Sequence, residues 1–275
     1  MAHPRRRPGA AGHRSVAVIP RFGRKRRPST MSVLEHLDEL RTRLIISVVV
    51  VALGAVGGWF LYRPVFNLLT NPFCTFIRAH PSLAVRNEPS TQCGLAFYSV
   101  LEPFLVKLKV AVFTGFALAL PVVLYEAWMF VTPGLMPRER RFAIPFVVSS
   151  LVLFVMGALF AIWTLPKALN FLLGFAGTTK LFAVLSIEKY LGFVTLLILA
   201  FGVSFEFPLV LISLTFVGVL SSRQLRHWRR HALLGIAVFA AVITPSQDWF
   251  TMTALMVPLL VFYELSILVG RILKK

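Results

Sequence analysis

Six long apolar runs constrain this chain more than any other feature: roughly Leu44–Tyr62, Phe104–Val131, Phe142–Thr164, Tyr190–Leu220, Ala232–Thr244 and Phe250–Val269. A bilayer core of about 30 Å takes about 20 apolar residues in a helix. The chain therefore reads as an all-α integral membrane protein with six transmembrane helices across 44–270. Composition agrees, with 57% hydrophobic and only 15% charged residues, against about 25% charged in a soluble domain. The runs are unequal. At 1.5 Å per residue the fourth is about 46 Å long and the fifth about 20 Å. The fourth must tilt, kink at Pro208 or project into water, and the fifth needs a thinned bilayer or neighbouring protein.

The formal charge of +18 raises the question of nucleic acid, and the placement of the basic residues answers it. An even number of spans puts both termini on one side, with 1–43, 133–141, 221–231 and 271–275. Those segments hold 21 of the 29 Lys and Arg, against 6 in the opposite loops 63–103, 164–189 and 245–249. The excess of basic residues marks the cytoplasmic side, so both termini are expected there. Nine of the basic residues lie in a Pro- and Gly-containing tail over 1–30, read as disordered and attracted to anionic lipid, with no nucleic-acid role. Trp59, Trp128, Trp163, Trp228 and Trp249 fall at or near span ends, where an indole prefers the interface.

A few polar residues need a reason. In "STMSVLEHLDELRTRL" (29–44), Ser32 and Glu35 fit a capping box. Val33, Leu37, Leu40 and Leu44 form a helical apolar stripe, which predicts an amphipathic interfacial helix over 31–43. Glu39 is spaced to pair with Arg43 at i, i+4. With Glu35, Asp38 and Glu139, it is among the few acids on the cytoplasmic side outside the tail, a set suited to a basic peptide. Glu139 has an alternative role, favouring the positive end of the third helix. Glu206, in "FGVSFEFPLV" (201–210), lies mid-span, where an ionised acid costs about 3 kcal/mol and is kept for function or for a hydrogen bond to a neighbouring helix. Glu126 and Glu264 sit near cytoplasmic span ends, while Glu102 and Asp248 sit at the outer edge, where charge is cheap. Cys74 and Cys93 share the first external loop, which favours a disulfide over a metal site. There is no phosphate loop, H-E-x-x-H or nucleophile elbow, so neither enzymatic activity, cofactor nor metal is expected.

Five motifs, "EHLDELRTRL" (35–44), "NPF" (71–73), "LYEAWMFVTPGLMPRERR" (124–141), "FGVSFEFPL" (201–209) and "TPSQD" (244–248), closely resemble the TatC family. TatC is the multispanning subunit of the twin-arginine (Sec-independent) protein translocase. The resemblance implies six helices arranged like a cupped hand, the fifth and sixth short, although the sixth run read here is longer. It implies a receptor in the bacterial plasma membrane for twin-arginine signal peptides of folded precursors. Glu39 and Glu139 would contact the arginines, with Arg41 and Phe130 in supporting positions. Pro72 matches the first external loop, and Asp248 matches an outer-loop acid to within one residue. Glu206 matches the intramembrane acid associated with the single-span partners TatA and TatB. The Glu126 position often holds an amide in the family and carries no assigned role. Self-association is expected as well, the apolar runs and basic tail imply contact with membrane lipids, and with no nucleotide site in the sequence the proton-motive force would drive transport. The competing reading is a proton-coupled small-solute transporter using Glu206.

Overall fold

The computed structural model describes residues 33–79, 95–131, 143–174, 185–216, 218–246 and 248–272. These residues are almost wholly helical: α1 (Val33–Phe60), α2 (Tyr62–Ala79), α3 (Glu102–Val131), α4 (Ala143–Gly174), α5 (Ile187–Ser204), α6 (Phe207–Phe216), α7 (Ser222–His227), α8 (Arg229–Ile243) and α9 (Trp249–Ile272). Two short strands, β1 (Leu95–Ala96) and β2 (Leu185–Ser186), pair in parallel and join the loops before α3 and α5. Five segments are long and apolar enough to cross a membrane: His36–Phe60, Glu102–Phe130, Ile144–Gly174, Ile187–Phe216 and Trp249–Ile272. The short fifth run lies in α8, whose 15 residues span only about 22 Å. By contrast, α9 has 24 residues, so of the two helices the resemblance makes short, only α8 is.

Four elements differ from the sequence reading. The interfacial helix expected over 31–43 and the first span are one helix, because neither Pro nor Gly interrupts 33–53 and nothing stops the hydrogen-bond ladder. Residues 63–79, read as part of the loop 63–103, belong to α2. Its polar residues disqualify it as a span, but Leu69, Phe73, Phe76 and Ile77 recur at helical spacing and are buried. Pro72 sits inside this helix. The third run continues past 164 to Gly174. The fourth breaks at Phe205–Glu206, between α5 and α6. Pro208 has no N–H to return to Ser204, and the chain tightens into i→i−3 bonds, Glu206 N–H to Val203 O (3.1 Å) and Leu209 N–H to Glu206 O (3.0 Å). Of the three outcomes open to the long fourth run, an interruption next to Pro208 is the one seen, with Glu206 at the break.

Packing centres on α5, whose Tyr190, Leu191, Val194, Leu197 and Phe201 are buried against Phe73, Leu165 and Leu255. The Tyr190 hydroxyl donates to Leu69 O at 3.0 Å and ties α2 to this core. α1 lies outside it, with only 6% of its span buried, and is held chiefly by α3. The two backbones nearly touch there. A Cβ on Gly54 would lie 2.6 Å from Gly115 O, and a Cβ on Gly58 would collide with Ala111 O. Small residues four apart allow this approach where packing replaces the hydrophobic effect.

Candidate functional site

The close crossing of α1 and α3 brings the N-terminal part of α1 and the C-terminal end of α3 together and builds a polar cluster. Arg43 donates to Glu39 Oε1 through Nη2 (2.6 Å) and Nε (3.1 Å), and to Glu126 Oε2 through Nη1 (2.8 Å). These side chains are 19%, 20% and 13% exposed, so the pairs are partly desolvated and less screened by salt than surface ion pairs. Glu39 Oε2 is buried and has no partner among the described residues. Beside the cluster, His36 stacks on Phe130 with ring centroids 4.3 Å apart, linking α1 to the last turn of α3 a second time. Phe130 thus touches α1 one turn from Glu39. Arg41 is exposed and joins no ion pair among the described residues. Glu139 lies outside the described residues, as does the side chain of Glu35.

Sequence reasoning passed over Glu126. Its signal was depth: Arg43 precedes the first run by one residue and Glu126 lies near the end of the second, so antiparallel helices put them at similar levels. The same logic pairs Arg229 with Glu264 across α8 and α9 at 2.5 Å.

A second polar group lies within the bundle. Ser150 Oγ donates to Glu206 Oε2 at 2.5 Å, while Glu206 Oε1 is buried without a partner among the described residues. Glu206 faces a cavity of about 280 Å³, lined also by Trp128, Phe146, Ser150, Ser213 and Leu214. Trp128 stacks on Phe146 at 3.6 Å between centroids, and its Nε1–H has no partner among the described residues. The recess is mostly apolar, and the two unpartnered polar atoms lie buried in its wall.

At the opposite end of the bundle, charge serves structure. Glu102 is not at a cheap edge: it is 3% exposed. It accepts from Tyr98 N–H (2.6 Å), Ser186 Oγ (2.5 Å) and Glu188 N–H (3.2 Å), clamping the loops that β1 and β2 join. Asp248 caps α9, accepting from Thr251 N–H (2.8 Å) and Thr251 Oγ1 (2.5 Å). Burial pushes its carboxyl up, but hydrogen bonds from Ser246 and Thr251 and from the backbone of Thr251 and Phe250 outweigh that and hold it below its ordinary value. Cys74, in α2, is disulfide-bonded; Cys93 lies outside the described residues.

These features define a class: a multi-pass helical membrane protein with an acidic recess at one end of its bundle and a carboxylate inside it. Comparison with known proteins narrows the class. A family model described as TatC, Sec-independent protein translocase protein, matches residues 35–258. The Sec-independent protein translocase protein TatC of Frankia casuarinae is 39% identical over 265 residues, covering 96% of this chain and 72% of that one. TatC of Aquifex aeolicus is 38% identical over 245 residues, covering 88% and 95%. A crystal structure of a twin-arginine translocase receptor, TatC, superposes with a TM-score of 0.70 at 37% identity, covering 88% of this chain and 100% of that one. The chain belongs to the TatC family, and its work is Sec-independent protein translocation.

Proposed function

We propose that this protein is the signal-peptide receptor and scaffold of a twin-arginine translocase in a bacterial plasma membrane. It crosses six times with both termini in the cytoplasm, and it has no enzymatic activity of its own. Glu39 and Glu139 bind the paired arginines of a precursor's signal peptide, with Arg41 and Phe130 flanking them. Glu206 receives a polar group from a single-span TatA-like or TatB-like helix. The receptor self-associates, and the proton-motive force drives transport. Outside, Pro72 shapes α2, and Cys74 pairs with Cys93.

One observation carries this reading. Glu39 stands at the basic-rich end of the bundle in a partly buried recess, with an oxygen already holding a guanidinium. A desolvated carboxylate favours the planar fork of arginine over the compact ammonium of lysine. The test is binding of a twin-arginine precursor to the solubilised protein. Glu39→Gln and Glu139→Gln should each weaken it by about tenfold or more, and a Lys-Lys signal should bind worse than Arg-Arg. Equal affinity across these variants would refute the assignment. The transporter reading requires solute flux in liposomes containing this chain alone.

A further inference from the structure

On the receptor reading, a ligand arginine meets Glu39, yet Glu39 is closed at rest. Its Oε1 is taken twice by Arg43, at 2.6 and 3.1 Å, and its Oε2 is buried with no partner among the described residues. Neither oxygen is open to a newcomer in this conformation. The second carboxylate, Glu126, holds the opposite edge of the same guanidinium at 2.8 Å from a different helix. Two acids thus share one cation, and their geometry fits a planar fork reaching both. A lysine would offer a point charge in place of that bridge.

We propose that Glu39 and Glu126 form a guanidinium socket, filled at rest by the chain's own Arg43 and taken over by an arginine of the bound signal peptide. Arg43 leaves toward the cytoplasmic interface, which its long side chain can reach by snorkelling. Glu126 becomes a ligand-binding residue, and Arg43 sets both affinity and selectivity. Ligands too weak to expel a resident arginine, lysine-bearing peptides among them, are excluded. The rival view makes Arg43 a permanent brace between α1 and α3.

The two views predict opposite signs. If Arg43 vacates the socket in about one molecule in ten, removing it raises apparent peptide affinity about tenfold, since affinity scales with the binding-competent fraction. The experiment measures fluorescence anisotropy of a labelled Arg-Arg signal peptide, and of its Lys-Lys counterpart, on the full detergent-solubilised chain. Arg43→Gln should bind the Arg-Arg peptide about tenfold tighter. Arg43→Lys, which keeps the charge and the fold but cannot bridge both acids, should bind a few-fold tighter. Adding Glu126→Gln to Arg43→Gln should abolish the gain. Unchanged or weaker binding in both Arg43 variants would overturn the socket, and so would a double variant that binds as tightly as Arg43→Gln alone. Glu39→Gln separates the levels. If it binds like wild type, the receptor reading itself fails; if it weakens while the Arg43 variants bind no tighter, only the socket fails.

Discussion

The crossing of α1 and α3 makes a sharp prediction, because two glycines three residues apart on one helix should respond oppositely. A Cβ at Gly54 would sit 2.6 Å from Gly115 O and 3.1 Å from Gly115 Cα, whereas at Gly57 the nearest atom is Leu118 Cδ1 at 3.8 Å. Ordinary contact begins near 3.4 Å, so Gly54→Ala must push the backbones apart by about 0.8 Å at that point. A gap of that size forfeits roughly a quarter to a half of the dispersion attraction across the crossing. Overpacking of this kind costs about 1–3 kcal/mol, against a gain of up to about 1 kcal/mol from replacing a helical glycine. Gly54→Ala should therefore destabilise by about 1–2 kcal/mol, and Gly57→Ala should be neutral or slightly stabilising. Thermal unfolding of the detergent-solubilised variants reads the difference, expected as a fall of about 2–8 °C for Gly54→Ala alone. Equal shifts in the two variants would refute the close-approach reasoning. The crossing also positions Glu39 against Glu126, so Gly54→Ala should weaken signal-peptide binding where Gly57→Ala does not.

Further expectations follow from the other polar sites. Glu206→Ala should abolish crosslinking of TatA-like or TatB-like helices at the cavity without loss of the fold, and intact crosslinking together with intact transport would count against that role. Asp248→Ala should cost about 1 kcal/mol in thermal stability through loss of the α9 cap. Because the Asp248 carboxyl is held below its unfolded value, its contribution is full above about pH 4 and fades as pH falls through the folded pKa; Asp248→Asn should flatten that limb of the stability profile. A Cys74–Cys93 bridge closes a loop of about 20 residues, so reductant should lower stability by about 3 kcal/mol. Two reactive thiols in unreduced protein would dismiss the bridge.

Glu126 shows most plainly where reading the chain stops. Its depth in the membrane follows from its place in an apolar run, but its partnership with Arg43 arises only when α1 crosses α3 at Gly54 and Gly115. Glu102 errs in the other direction. Its edge position suggested a solvated charge, and the β1–β2 pairing buried it beneath three donors. α2 went unseen as a helix because its apolar face meets the core formed by α4 and α5 and not lipid, so its residues satisfy neither the rule for a span nor the expectation for a loop.

What the linear chain decides here is what solvent decides: the apolar spans, the shortness of α8 and the break before Pro208 all follow from local hydrophobicity and backbone chemistry. What the three-dimensional structure alone decides is which charges meet, because Arg43 reaches Glu126 across 83 residues of sequence. Lipid sorts residues one at a time, whereas ion pairs depend on where two helices cross.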